Sequence, residues 1–164
     1  MTIYIIPSYI SNNTKQVIPT QVLEAIKKCD LFFVENIRTA RRYISSLQLG
    51  IAIEELKFQV LNKKTTYEDC IELIQPAISG KVIGVISESG CPGVADPGAR
   101  LVHIAHQFKI KVVPLVGPSS ILLALMASGM NGQSFAFHGY LPVERKEKQQ
   151  KLRALEKESK QKDQ

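Results

Sequence analysis

Short β-branched runs alternate with amphipathic segments along most of this 164-residue sequence. The apolar runs at residues 2–6, 31–35 and 81–87 are bounded by proline, glycine or polar residues, as buried strands commonly are. The segments between them place apolar residues at helical spacing. Strands that alternate with helices usually pair in parallel and carry helices on both faces of the sheet. The sequence therefore predicts an α/β fold with a mostly parallel sheet.

Several boundaries rest on weaker signals. Residues 53–61 are a weak strand candidate, and residues 134–138 (SFAFH) are a further strand candidate. Thr65 and Glu68 have the spacing of a capping box and predict the start of a helix. Gly50 follows an amphipathic run and predicts the residue just beyond a helix end.

The composition excludes several classes of protein. Hydrophobic residues make up 45% and charged residues 22%, which is ordinary for a folded globular chain. No apolar run approaches the roughly 18 residues that a transmembrane helix needs, and no signal peptide is recognisable. The three cysteines form no CxxC pair, which fits a reducing cytoplasm and no disulfide framework. His103 and His106 share a predicted helix without an evident third ligand, so no metal site is predicted.

The positive charge is unevenly distributed. The formal net charge is +6, and half of it lies in residues 144–164. This polar tail has too few apolar positions to bury a face, so we expect a frayed helix or disorder there. The charge is compatible with an RNA partner, but by itself it favours a merely solvated surface.

The loop Ser87–Gly98 is the most informative segment, because it follows the clearest predicted strand. In open parallel sheets, ligands collect beyond the carboxyl ends of the strands. Its glycines let peptide groups approach a ligand, and its prolines restrict the loop. A ligand cradle and a tight structural turn both remain open. Neither GxGxxG nor GxxxxGK[ST] occurs, which disfavours a nicotinamide-dependent dehydrogenase and a P-loop nucleoside triphosphatase.

Two further strand ends carry polar groups. Residues 117–120 (GPSS) open a predicted helix, where free amides suit anionic ligand groups or simple capping by the turn. Residues 35–38 (ENIR) lead into a helix that also carries Arg41 and Arg42. These arginines suit an RNA phosphate or a solvated helix face. The residues alone thus indicate an α/β protein with a ligand crevice and identify no reaction.

Four segments, in this order, resemble the tetrapyrrole methylase superfamily, most nearly its ribosomal RNA small-subunit methyltransferase I branch. Residues 87–98 (SESGCPGVADPG) are similar to the pattern SDAGTPGISDPG of that branch. Residues 35–38, 117–120 and 139–142 (GYLP) match its shorter elements. Residues 7–13 (PSYISNN) lack the glycine of its PIGNL-like element, and Ile37 replaces a usual threonine. The resemblance therefore indicates a divergent member.

The resemblance implies S-adenosylmethionine as cofactor, folded between two α/β domains. It implies transfer of the methyl group to the 2′-hydroxyl of a cytidine in small-subunit ribosomal RNA. The cofactor-binding residues carried over are Pro7, Gly90, Cys91, Gly93, Val94, Ser119, Ser120 and Gly139. Because a ribose hydroxyl is a poor acid, a nearby base should help, and the carboxylates at suitable strand ends are Glu35, Glu88 and Asp96. The choice among them stays open. Arg38, Arg41 and Arg42 are the expected substrate contacts.

The resemblance also implies an organisation and partners. We expect an N-terminal α/β domain over residues 1–115, the beginning of a truncated second α/β domain over 116–143, and the basic tail over 144–164. A fragment or shortened product, a homodimer, a cytoplasmic location and a partner in the small ribosomal subunit are expected, and no membrane. Two alternatives remain: a non-catalytic module that binds S-adenosylmethionine or RNA, and a methylase of small cyclic substrates. The arginines of residues 35–42 favour an anionic polymer over the latter.

Overall fold

The computed structural model describes residues 1–11 and 15–162. The chain divides into two compact units, Met1–Ser119 and Ser120–Gln164. The domain boundaries expected from the sequence stay a prediction. In the first unit the strands and helices are β1 (Thr2–Ile6), α1 (Thr20–Lys28), β2 (Leu31–Val34), α2 (Ile37–Ser46), β3 (Phe58–Val60), α3 (Tyr67–Leu73), α4 (Gln75–Ile78), β4 (Val82–Ile86), α5 (Gly98–Gln107) and β5 (Lys111–Pro114).

The five strands form one parallel sheet in the order β3-β2-β4-β1-β5. β4 and β1 occupy its centre, with Ile5 opposite Val85 and Ile6 opposite Ile86. The predicted α/β fold with a mostly parallel sheet is therefore confirmed. All the strands point the same way, so the loops that leave β1, β2, β4 and β5 lie along one edge.

Each face of the sheet is buried under helices, because alternate strand residues point to opposite faces. Ile5 and Val85 pack on one face with residues of α3, α4 and α5, among them Ile104, and with Ile74 between α3 and α4. Ile6, Phe32 and Ile86 pack on the other face with residues of α1 and α2, among them Ile26 and Ile44. The strands are therefore apolar on both sides, as the continuous apolar runs predicted.

Gly84 lies in the middle of β4, where glycine would ordinarily weaken a strand. A Cβ atom there would come within 2.8 Å of side-chain atoms of both Ile6 and Phe32. These two large side chains close over the glycine, and its position is explained by packing.

Two helix boundaries differ from prediction. The capping box of α3 is formed by Thr66 and Asp69, one residue later than predicted, because the Thr65 hydroxyl instead accepts a hydrogen bond from the Asn62 amide. α2 ends at Ser46, and Gln48 rather than Gly50 is the first residue after it with positive φ, at 52°. The Asn36 side chain caps the start of α2 by accepting from the Arg38 and Thr39 amides.

The weak strand predicted over residues 53–61 is only partly correct. Residues Ile53–Glu55 form a 3-10 turn, and the strand β3 is limited to Phe58–Val60 at the edge of the sheet. An edge strand pairs on one side only. Each further residue would therefore gain fewer backbone hydrogen bonds than in a central strand, and a longer strand is less favourable.

The second unit contains α6 (Ser120–Ser128) and α7 (Arg145–Lys162). The strand predicted at 134–138 was wrong: these residues form no strand, because the unit has no other strand, among its described residues, to supply backbone hydrogen bonds. α7 is a continuous helix over 18 residues, where a frayed helix or disorder was expected. The ion pairs Glu156–Lys160 and Glu158–Lys162 have the four-residue spacing that stabilises exposed helices.

Among the described residues, every helix is too short or too polar to cross a bilayer.

Candidate functional site

Three loops meet where the central strands end. The Ser8 amide after β1 donates a 2.9 Å hydrogen bond to the Gly90 carbonyl after β4, and the Gly90 amide donates to the Tyr9 carbonyl at 3.4 Å. The loop after β5 approaches from the other side of β1. A Cβ atom on Gly117 would lie 2.2 Å from Cβ of Pro7, so only glycine permits this contact. The loops after β1, β4 and β5 therefore form one junction, which does not include the predicted segments 35–38 and 139–142.

Gly90 is held by its backbone geometry as well as by its neighbours. Its φ is +69°, a conformation that residues with a side chain rarely adopt. A Cβ atom there would also lie 3.0 Å from the Pro118 carbonyl oxygen. The loop after β4 thus rests against the loop after β5 through bare peptide groups.

Side chains within the loop 87–98 fix its shape. The Ser87 hydroxyl donates to the Gly90 carbonyl at 3.1 Å. One carboxylate oxygen of Asp96 accepts from the Gly93 amide at 2.6 Å and from the Gly98 amide at 2.8 Å. Burial raises the pKa of Asp96, and these two amide donors partly offset that effect. Asp96 is therefore an anchor of the loop at the start of α5.

Cys91 joins the same two loops. Its Sγ lies 3.4 Å from the Pro118 carbonyl oxygen and 3.6 Å from that of Gly117, to which the thiol can donate. Burial raises the pKa of the Cys91 thiol, so at neutral pH it stays protonated and remains a donor. Cys91 is a packing and hydrogen-bonding residue of the junction rather than a nucleophile.

A cleft of about 460 Å³ opens beside the junction, between the ends of β1, β2 and β4 and one face of α2. Tyr43 on α2 forms its base: the hydroxyl donates a 2.7 Å hydrogen bond to the Pro7 carbonyl, and the ring meets that of Tyr9 edge-on at 4.9 Å. The lining residues are 8–11, Val34, Glu35, Asn36, Thr39, Ala40, Arg42, Tyr43, Ser46, Ile86, Ser87 and Glu88.

One hydroxyl in the cleft wall has no partner. Ser8 is 4% exposed, and its Oγ is buried without a hydrogen-bond partner among residues 1–11 and 15–162. Every other buried side-chain polar atom of the described residues is paired. An unpaired buried hydroxyl is costly, so Ser8 Oγ in the wall of the cleft is a candidate hydrogen-bonding group for a molecule that enters it.

Two of the three candidate carboxylates line the cleft, and the third does not. Glu35 and Glu88 line it, whereas Asp96 lines a separate depression with Asn62, Lys63 and Arg100. Burial is the main cause that raises the pKa of Glu35; the Glu88 amide, which donates to Glu35 Oε1 at 3.4 Å, lowers it. The negative charges of Asp96 and Glu88 raise it further. Glu35 is thus a carboxylate that holds a proton more readily than usual.

The three arginines of α2 have different surroundings, although all are exposed. Arg42 lines the cleft. The Arg41 guanidinium lies 5.5 Å from the centre of the Phe58 ring, beside β3. Arg38 lies in the first turn of α2 and does not line the cleft.

The structure brings three of the eight predicted cofactor contacts together at the junction. Pro7, Gly90 and Cys91 meet there, Gly93 and the half-exposed Val94 continue the same loop, and Ser119 ends the loop after β5. Ser120 and Gly139 belong to the second unit, where Ser120 is the first residue of α6 and Gly139 has φ of +70°. Among the described residues, no group of three metal-binding side chains occurs, and His103 contacts Gln107 instead.

The sequence analysis missed three residues of the site, Ser8, Tyr9 and Tyr43. Ser8 and Tyr9 belong to the strand-end segment that begins at Pro7, which the sequence analysis considered, but only Pro7 was named there as a contact. Tyr43 lies one position before Ile44 on the buried face of α2, and the helical spacing alone gave no sign that its hydroxyl reaches Pro7.

Curated proteins align with this chain over most of its length, at about 30% sequence identity. No protein-family model matches it. The chain is 31% identical over 157 residues to the ribosomal RNA small subunit methyltransferase I of Vibrio cholerae, an alignment that covers 96% of this chain and 52% of that protein. It is 32% identical to the protein of the same name from Buchnera aphidicola (96% and 53% covered) and 30% identical to that from Bacillus subtilis (94% and 51% covered).

The fold and the junction define an α/β protein with a candidate ligand site where the strands of its parallel sheet end. Within that class, the chain is similar over most of its length to proteins named ribosomal RNA small subunit methyltransferase I. The resemblance drawn from four short segments is thereby confirmed. The chain spans about half the length of the curated relatives it matches.

Proposed function

We propose that this chain belongs to an S-adenosylmethionine-dependent methyltransferase that modifies the 2′-hydroxyl of a cytidine in small-subunit ribosomal RNA. The observation that carries the proposal is the junction of three strand-end loops beside a cleft that holds a carboxylate and an arginine. The names of the relatives support the reaction class and the RNA substrate. A cytoplasmic location and a homodimer accompany the proposal, and light scattering of the purified chain tests the dimer.

The junction fits a cofactor of this kind. Gly90 and Gly117 let the loops pack closely where they converge, and a Cβ on Gly93 would meet nothing within 4 Å, which leaves space there for a ligand. Hydrogen bonds from Ser87 and to Asp96 hold the loop in place before binding, which lowers the entropy that binding costs. Pro7, Gly90, Cys91, Gly93, Val94, Ser119, Ser120 and Gly139 are the proposed contacts. When bound, the cofactor would supply a methyl group activated by the positive sulfonium.

The cleft supplies what the acceptor needs. A ribose hydroxyl loses its proton as its oxygen forms the new bond to carbon, and a carboxylate within reach can take that proton. Of the three candidates, Glu35 combines a position in the cleft with a raised pKa, whereas Asp96 is committed to two backbone amides. Glu35 is the proposed base, and Glu88 is its neighbour in the wall.

The arginines of α2 are proposed to hold the RNA backbone. Arg42 lines the cleft and would place a phosphate next to the reacting ribose, while Arg38 and Arg41 would contact flanking phosphates. Such contacts position the strand and exclude solvent from the acceptor oxygen. Alignment of the oxygen with the methyl carbon and sulfur is the main requirement of the reaction.

Two measurements test the proposal in sequence. Isothermal titration of the chain with S-adenosylmethionine should show binding, and the same protein should transfer a radiolabelled methyl group to small ribosomal subunits. Mapping of the product should place the label on a cytidine ribose. Binding without transfer would indicate a non-catalytic module, and transfer to a small cyclic substrate alone would indicate the other alternative. Absence of any binding would contradict the cofactor assignment.

A further inference from the structure

Ser8 and Ser87 make an informative pair, because they are the two buried polar residues among those described and stand at the ends of neighbouring strands. The Ser87 hydroxyl donates to backbone carbonyls of its own loop, 3.1 Å from that of Gly90 and 3.3 Å from that of Ser89. The Ser8 hydroxyl has no partner in the described part of the chain, although Ser8 is the more buried of the two, at 4% against 8% exposed. The difference therefore lies in the hydrogen bonding and not in the depth.

The unpaired hydroxyl is not explained by the fold. The Ser8 backbone amide is already satisfied by the Gly90 carbonyl, so the side chain is not needed to hold the loop. An alanine would fill nearly the same space and would avoid the cost of a buried hydroxyl without a partner. A serine at this position therefore weakens the ligand-free protein.

The position of Ser8 in the cleft indicates which kind of ligand group could hydrogen-bond its hydroxyl. Ser8 lines the same cleft as Glu35, Arg42 and the Tyr9–Tyr43 pair. A serine hydroxyl has three staggered positions, and rotation about its Cα–Cβ bond can turn the oxygen from the wall into the cleft. The cleft combines aromatic rings, which suit a flat base, with a carboxylate and a guanidinium, which suit hydroxyl and phosphate groups.

We propose that Ser8 is a positioning residue for the methyl acceptor, whose hydroxyl hydrogen-bonds a polar group of the nucleoside that enters the cleft between the ends of β1, β2 and β4. The proposal rests on the proposed function. It adds that Ser8 helps to select the orientation of the acceptor in this cleft.

The experiment uses the 164-residue chain with two probes, cytidine and S-adenosylmethionine. Binding of each is followed by amide shifts in nuclear magnetic resonance spectra and by calorimetry, for the unchanged protein, Ser8→Ala and Ser79→Ala. Ser79 is an exposed serine at the end of α4, so its variant controls for loss of a hydroxyl outside the cleft. Ser8→Ala should weaken cytidine binding by about threefold to tenfold, the size of one lost hydrogen bond, and leave the affinity for S-adenosylmethionine unchanged.

The melting temperature of Ser8→Ala distinguishes a binding role from a structural one, because a structural role predicts a lower melting temperature. Without ligand, Ser8→Ala should melt at the same temperature as the unchanged protein or higher, because an unpaired buried hydroxyl is removed. Ser87→Ala should melt lower, because its hydroxyl is paired. A lower melting temperature for Ser8→Ala, with both affinities reduced together, would show a structural role and overturn the proposal.

The remaining outcomes separate this inference from the proposed function. Unchanged cytidine binding by Ser8→Ala overturns the role of Ser8 and leaves the methyltransferase proposal standing. Weaker binding of S-adenosylmethionine alone would assign the cleft to the donor and overturn the inference in the same way. If the unchanged protein binds S-adenosylmethionine but not cytidine, the acceptor site is not this cleft. If it binds neither, the proposed function fails as well.

Discussion

The Tyr43 hydroxyl donates a hydrogen bond to the Pro7 carbonyl across 36 residues of sequence, at 2.7 Å. It ties α2 to the loop that follows β1, and this loop forms both the junction and one wall of the cleft. Burial raises the pKa of Tyr43 above its ordinary value, so the phenol stays protonated and remains a donor at neutral pH. A helix that covers the sheet thus also positions the loop that carries Ser8.

Tyr43→Phe should destabilise the protein by about 1–3 kcal/mol, because the Pro7 carbonyl loses its partner while the ring remains buried. Urea denaturation measures the change in the free energy of unfolding. The binding of S-adenosylmethionine should weaken too, since Pro7 is packed against Gly117.

Tyr67→Phe is the matched control for this change. Tyr67 is 40% exposed and its hydroxyl donates to the Gln107 side chain at 2.8 Å, so water can replace that partner. Its loss should cost less than about 0.5 kcal/mol. Equal costs for the two variants would show that the Tyr43–Pro7 bond does not stabilise the loop.

Gly117→Ala tests the closeness of the loops after β1 and β5. The new methyl group would meet Pro7 carbons at 2.2 and 2.3 Å, so one loop must move. We expect a cost of about 1–3 kcal/mol in the free energy of unfolding and a reduced affinity for S-adenosylmethionine in calorimetry. Gly132→Ala is the control, because a methyl group on Gly132 would meet no described atom within 4 Å and its φ is not positive. A variant at Gly117 that binds as tightly as this control would contradict the placement of the cofactor at the junction.

Sequence reasoning predicted the sheet well, because its signal is local and repeated. β-branched runs such as residues 82–86 are apolar along their whole length, which is what a strand covered on both faces requires. The loop 87–98 was also identified, since glycine and proline at a strand end are visible in one short window. The predictions failed where the structure of a segment depends on whether another strand is available to pair with it. Residues 134–138 alternate as a strand should, yet their unit provides no second strand among its described residues.

The sequence identified the segments that form the candidate site, but it did not show which side chains in them contact one another. Asp96 and Glu35 are both carboxylates at strand ends, and only the structure separates them: two backbone amides engage Asp96, and Glu35 faces the cleft. The unpaired hydroxyl of Ser8 is likewise invisible in sequence, because whether a hydroxyl has a partner depends on residues from elsewhere in the chain.

Glu35→Gln should change how stability depends on pH. The pKa of Glu35 is raised above its ordinary value of 4.5, so the folded state retains the proton at pH values where the unfolded chain has lost it. The stability from this difference is fully present below pH 4.5 and is lost as the pH rises through the raised pKa. Glutamine does not ionise, so the melting temperature of the variant relative to the unchanged protein should increase from about pH 4 to about pH 7, as measured by calorimetry.

The same variant tests the role of Glu35 as a base. Glutamine keeps the oxygen that accepts from the Glu88 amide but cannot take a proton, so methyl transfer should fall by about 10²-fold or more while S-adenosylmethionine still binds. Glu24→Gln on the exposed face of α1 is the control for loss of a carboxylate. Full transfer by Glu35→Gln would remove Glu35 from the mechanism and return Glu88 to consideration.

Arg42→Ala should weaken binding of a short single-stranded RNA that contains cytidine, because Arg42 is the arginine of α2 that lines the cleft. We expect an affinity about threefold to tenfold lower in fluorescence titrations. If Arg42 contacts one phosphate, the slope of log affinity against log salt should decrease in magnitude by about 0.7, the value for one contact on a single strand. Lys81→Ala removes an equal charge just before β4, at the amino ends of the strands and away from the cleft. It should leave the affinity and the salt slope unchanged. The same loss of affinity in both variants would mean that RNA responds only to the net charge of the chain, and the cleft would then not be where the strand binds.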